Sequence, residues 1–114
     1  MKYHNKKTEI DGIVFDSKLE AERYCYLKTM QKGKLIRDLR LQPEFELIPT
    51  FKKNGKTYRK IAYIADFSYF DVQEGKIIIE DVKGFKTAVY RLKRTLFEYI
   101  YKDLTITEIT RKDF

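Results

Sequence analysis

The sequence predicts one α/β domain with a mixed central sheet flanked by two helices. Two stretches carry helical spacing: Leu19, Tyr26, Leu27 and Met30 in the first, Val89, Leu92, Leu96 and Ile100 in the second. Between them the apolar period shortens to two and aromatic residues dominate, as strands require. The order helix, three strands, helix, strand then implies a layered arrangement. The strand before the second helix and the one after it are placed to pair in parallel through a crossover.

Residues 1–8 are polar and basic and are read as an arm, leaving 9–114 as a single domain. Ile10, Asp11-Gly12 and Ile13 to Phe15 form a small hairpin pattern. Asp16 or Ser17 can cap the first helix, which should run to Lys32 and stop at Gly33. Phe45, Leu47 and Phe51 mark the first strand, after Gln42-Pro43. Asn54-Gly55 is a hairpin turn, residues 58–71 are aromatic and β-rich, and Ile77-Ile78-Ile79 continues beyond a turn at Glu74-Gly75. The second helix spans about 87–101, and 104–109 closes the chain as a short strand.

Composition excludes several classes. Hydrophobic residues make up 43% of 114, with nine Tyr and eight Phe, which is enough apolar mass for a core. One Cys (Cys25, read as a small buried residue) and one His (His4) cannot build a Cys/His zinc site, a disulfide framework or a Ser-His-Asp triad. No stretch has membrane-spanning length and no Gly-rich phosphate loop is present, so no organic cofactor is expected. A net charge of +7 points to a polyanionic partner.

The chemistry concentrates in Ile77-Ile78-Ile79-Glu80-Asp81-Val82-Lys83, where three charged residues end an apolar strand. Asp81 and Lys83, two apart, share a face, and Glu80 takes the other. Asp66 lies in the neighbouring strand. Pairing in which residue numbers sum to 147 or 149 puts Asp66 on the Asp81 face; a sum of 148 puts it opposite. Two adjacent carboxylates raise each other's pKa unless a cation neutralises them, and oxygen-only ligands favour Mg²⁺ or Mn²⁺. The plainer reading is an Asp–Lys pair with Asp66 a surface acid. Glu20 is read first as part of a Ser17-Lys18-Leu19-Glu20 capping box.

These residues resemble the PD-(D/E)XK nuclease superfamily: Asp66, then Asp81-Val82-Lys83 at the next strand end, with Glu20 on a preceding helix. Residues 2–7, 12–21, 41–45, 63–67 and 82–87 resemble more closely a small phage and prophage family of unknown function placed in that superfamily. Ala65 stands where the name-giving Pro would be. The resemblance implies a restriction-endonuclease-like core of helix, three-stranded meander, helix and strand. It implies Mg²⁺- or Mn²⁺-dependent phosphodiester cleavage, with Asp66, Asp81 and Glu20 as metal ligands and Lys83 as the catalytic lysine. The implied substrate is branched or structured DNA, cut in the cytoplasm of a bacterial host by a resolvase-like enzyme of a kind that usually acts as a homodimer.

Around this site, Lys86, Arg91, Lys93 and Arg94 on and beside the second helix are placed to contact phosphate; Arg91 and Arg94 also fit a solvated helix face with Glu98. Lys53 and Lys56, with Lys52, Arg59 and Lys60, surround the Asn54-Gly55 turn as a basic finger. Gln42 is a candidate for the attacking water or a phosphate. The competing function is a non-catalytic basic nucleic-acid-binding module that keeps a nuclease-like fold.

Overall fold

The structure, a computed structural model, describes residues 7–82 and 86–113. Of the expected arm, residues 1–6 lie outside the described residues. The chain then runs through β1 (Thr8–Ile10), β2 (Ile13–Phe15), α1 (Lys18–Lys32), β3 (Ile36–Leu41), β4 (Glu44–Ile48), β5 (Phe51–Lys53), β6 (Lys56–Tyr58) and β7 (Ile61–Ile64). It ends with β8 (Phe67–Asp71), β9 (Lys76–Val82), α2 (Ala88–Ile100), β10 (Ile106–Ile109) and a 3₁₀ turn, Arg111–Asp113.

Local chemistry accounts for most boundaries. The β1–β2 turn holds Asp11 at φ 54° and Gly12 at φ 77°, as the two central residues of a type I′ hairpin require. Ser17 caps α1 by accepting the Glu20 N–H at 3.1 Å, and Thr87 caps α2 by accepting the Tyr90 N–H at 3.0 Å. Gly33 closes α1, its N–H donated back to the Thr29 carbonyl at 3.0 Å.

The α/β expectation, a PD-(D/E)XK restriction-endonuclease-like core with one mixed central sheet flanked by two helices, is overturned. Among the described residues, strands hold 41% and are divided among several small sheets, with only two α-helices. The largest sheet has four strands in the order β10-β9-β8-β3; β1–β2, β4–β7 and β5–β6 each pair separately. β9 and β10 are parallel, while β8 is antiparallel to β9 and β3. The expected three-strand meander fails because its first member and the first half of its second leave the sheet, while the second half, β8, stays in it between β9 and β3. β4 and β7 pair with each other, and the ribbon continues outward as β5–β6. A bulge beside Leu47 shifts the pairing, so that residue numbers summing to 108 at Phe45–Tyr63 sum to 109 from Ile48–Ile61 to Lys53–Lys56. Pro49, which has no N–H to donate, separates the inner and outer parts of the ribbon.

Two apolar cores result. Ala21, Tyr24 and Leu27 of α1 pack with Ile36, Phe67, Tyr69, Val82 and Ile109. Tyr90 and Phe97 of α2 pack with Leu47, Tyr63, Ala65, Ile79 and Ile106. Helix α2 thus lies mainly against the ribbon, and it presents a different stripe from the one its spacing predicts: Val89 and Leu92 are each 62% exposed, whereas Phe97 is fully buried. Edge-to-face contact of Phe45 with Phe97 (5.1 Å) and Tyr101 (5.6 Å) rewards the aromatic side over the aliphatic one. Tyr26 and Cys25, expected on the inside, are exposed. Among the described residues no helix is long and apolar enough to cross a membrane.

Candidate functional site

The register left open by the sequence is the 147 pairing: Phe67 faces Glu80 and Ser68 faces Ile79. Continued one step, it sets Asp66 across from Asp81, where the chain passes from the ribbon into the four-stranded sheet. The Asp66 N–H donates to the Glu80 carbonyl (3.1 Å), and the Asp66 carbonyl accepts the Gln42 N–H (3.0 Å). Gln42 is held at φ 52° beside this crossing with its side chain exposed.

Asp81 is 2% exposed, and its Oδ2 accepts the phenolic hydrogen of Tyr63. Asp66 Oδ2 accepts the Val82 N–H at 2.7 Å. Burial first, then the charge of Asp81, then that of Glu20, push the Asp66 carboxyl up to about 8; the Val82 bond works in the opposite sense. Glu20 sits in the first turn of α1, where one half of the expected capping box forms. Its backbone is capped by Ser17, and its carboxylate is near enough to act on Asp66. Burial and the bond to Asp81 hold the Tyr63 phenol far above its ordinary value.

Glu80 occupies the opposite face, as its position in the strand requires. Its carboxylate takes Arg23 Nε at 2.8 Å and Nη2 at 2.6 Å, and accepts the Tyr69 hydroxyl. Arg23 also donates to the Asp113 carbonyl at 3.3 Å, fastening the 3₁₀ turn.

Glu108 is the parallel-register partner of Asp81. It binds Lys86 Nζ at 2.8 Å, Arg94 Nη1 at 2.6 Å and the Tyr90 hydroxyl at 2.7 Å. Burial opposes its charge, yet the Lys86 and Tyr90 bonds and the Arg94 cation hold its pKa below the ordinary value. Two of the expected phosphate contacts, Lys86 and Arg94, thus converge beside the acids and are engaged by an internal carboxylate. Arg91 is exposed and Lys93 half-buried on α2; Lys53 and Lys56 lie apart from the acids on the outer ribbon. Lys83, expected as the catalytic lysine, lies outside the described residues.

Asp66 and Asp81 fit a hard divalent ion in donor type. Both are carboxylates, and like charges are held together at a cost that a cation would remove; Mg²⁺ is commonly held by one or two carboxylates plus waters and phosphate. Among the described residues no group of three or more His, Cys, Asp or Glu side chains is gathered to hold a metal ion. The fit is to a two-carboxylate site.

Tyr63, Tyr90, Glu108 and Arg23 were not anticipated. Only Arg23 had a sequence signal, a charged residue one turn from both Leu19 and Leu27 on the inward face of α1. The others depend on the parallel pairing of β10 and on how the ribbon packs.

A scan of family models decides the kinship. The chain belongs to the family described as Protein of unknown function (DUF1064), whose model matches residues 1–113. The match names no activity and extends to no wider superfamily. No curated protein and no solved structure matches the chain.

Proposed function

We propose that this chain is a divalent-metal-dependent endonuclease acting on DNA, with the site chemistry of the PD-(D/E)XK nucleases. The observation that carries the reading is the Asp66–Asp81 pair, two carboxylates brought opposite each other at a strand end and sharing a raised proton affinity at Asp66. Function resides in such a site rather than in the fold, so the strand-rich architecture does not weaken it.

Asp66 and Asp81 would hold Mg²⁺ or Mn²⁺, which when bound supplies Lewis acidity toward a phosphate oxygen and a lowered pKa for water. Tyr63 positions Asp81 through its hydroxyl. Glu20 adds negative charge at Asp66 that favours a cation over a proton only when the cation is divalent and close. Lys83, two residues beyond Asp81 in sequence, offers a positive charge for the phosphoryl group as negative charge builds there. Hydrolysis consumes one water: its oxygen bonds to phosphorus, the bond to the leaving sugar oxygen breaks, and that oxygen takes a proton. Branched DNA and action as a dimer, with one site for each strand, belong to the same proposal.

The test is incubation of the protein and Mg²⁺ or Mn²⁺ with linear, single-stranded, flap and four-way-junction DNA. Cutting is expected to vanish with a chelator, with Asp81→Asn and with Lys83→Ala; cleavage that survives all three overturns the reading. The absence of a three-residue metal group among the described residues favours the rival, a basic nucleic-acid-binding module without catalysis. That rival expects metal-independent binding and no dependence on Asp66.

A further inference from the structure

The outer ribbon, β5–β6, takes no part in either core. Every residue from 51 to 60 is exposed, and the two strands pair only with each other. A two-stranded hairpin alone is marginally stable in water, so an isolated one needs local support. Asn54 at φ 53° and Gly55 at φ 74° form its turn, and the Phe51 and Tyr58 rings stack across its base at 4.8 Å and 8°.

The charge on this element is one-signed. Between Phe51 and Tyr58 there is no acid, and Lys52, Lys53 and Lys56 make no ion pair among the described residues. The register places Lys53 and Lys56 on one face with the aromatic pair, and Lys52 on the other with Thr57. Positive charge therefore flanks the ribbon on both sides. Its tip, Lys53-Asn54-Gly55-Lys56, is polar, and the rings sit at the base, stacked on each other. A polar tip offers nothing to insert among lipid chains and no ring on which to stack an unpaired base.

We propose that this hairpin is a docking arm for duplex nucleic acid, entering a groove between two phosphate walls. Three residues per strand at about 3.3 Å each give about 10 Å of reach. The major groove is about 8.5 Å deep and, at about 12 Å wide, admits a two-stranded ribbon. Lys52 on one side and Lys53 and Lys56 on the other meet the facing backbones. The Leu47 bulge and Pro49 set the angle at which the arm leaves the inner ribbon, whose other end leads into Asp66. The arm acts without cleavage, so it stands or falls separately from the nuclease reading.

Anisotropy titration of the whole chain with a labelled blunt duplex, in chelator and over a series of salt concentrations, tests it. Replacing Lys52, Lys53 and Lys56 by Thr, which keeps strand propensity, is expected to weaken binding roughly tenfold or more at about 0.1 M salt and to flatten the log–log salt slope by about 2.7, three contacts at about 0.9 each. The Lys→Arg triple variant should keep both affinity and slope. Replacing Lys28, Lys32 and Lys34 by Gln removes the same charge elsewhere and should leave most of the affinity. An equal loss in that control, or no loss in the Thr variant, overturns the proposal. So does tighter hairpin-dependent binding to a single strand, or to phosphatidylserine vesicles, than to the duplex. A chain that binds through the arm yet never cuts defeats only the nuclease reading.

Discussion

Glu80 and Asp81 are neighbours in β9 and are 1% and 2% exposed, but burial is offset differently at each. Glu80 faces α1, where Arg23 grips both of its oxygens and Tyr69 completes the shell. Asp81 faces another carboxyl, Asp66, with Tyr63 donating to it and Glu20 adding more negative charge nearby. On one face a buried charge is matched by a cation within the fold. On the other, acids are held together and Asp66 keeps a proton well into the neutral range. A fully matched ion pair serves structure, whereas a like-charge pair at the end of a strand leaves a demand that a proton or a cation must meet.

The largest test of that contrast is on stability. Glu80→Gln leaves the Arg23 guanidinium buried opposite a neutral amide and is expected to cost about 3–5 kcal/mol in urea unfolding. Asp66→Asn, which mimics the protonated acid, should change stability by no more than about 1 kcal/mol. Equal losses would abolish the distinction between the two faces.

Next in size is a dependence on pH. The native Asp66 carboxyl holds its proton up to about 8, whereas the unfolded chain releases it near 4. Between those values the folded state binds more protons, so its stability falls as pH rises, by on the order of a few kcal/mol, and levels off above about 8. Denaturation measured from pH 5 to 9 should show the decline in the parent chain and a flatter profile in Asp66→Asn. A parallel decline in both would assign the effect to another group.

Divalent metal should reverse that decline. Mg²⁺ or Mn²⁺ at a hundredfold excess over Kd is expected to add about 2.7 kcal/mol, seen as a rise in Tm that is larger at pH 9 than at pH 6, where the Asp66 proton competes. The rise should disappear in Asp81→Asn, and metal stabilisation that ignores this change would remove the acids as its site. The smallest effect is Tyr63→Phe, about 1 kcal/mol, because the proton on Asp66 still satisfies Asp81.

Much of the local structure was legible in the sequence because its causes are local. Asp11-Gly12 and Asn54-Gly55 turn where expected, Ser17 and Thr87 begin helices, and Gly33 ends one. β3 was missed because Ile36-Arg37-Asp38-Leu39-Arg40-Leu41 alternates poorly and carries three charges, which an edge strand tolerates. The apolar side of α2 was misplaced because Val89, Leu92 and Ile100 satisfy helical spacing as well as Tyr90 and Phe97 do. Only the aromatic ribbon beneath the helix selects between the two stripes.

By itself, the sequence determined that Glu80 and Asp81 take opposite faces, since successive strand residues must, and that two acids end an apolar strand in a basic chain. Tertiary structure alone decided the partners. The 147 register brought Asp66 to Asp81, the parallel placement of β10 brought Glu108 beside them, and the packing of α1 supplied Arg23 to Glu80. It also divided the strands into small sheets, because a bulge at Leu47 and Pro49 carried the ribbon away from the rest. Alternation is a property of one strand, while register and sheet membership depend on contacts between segments far apart in the chain.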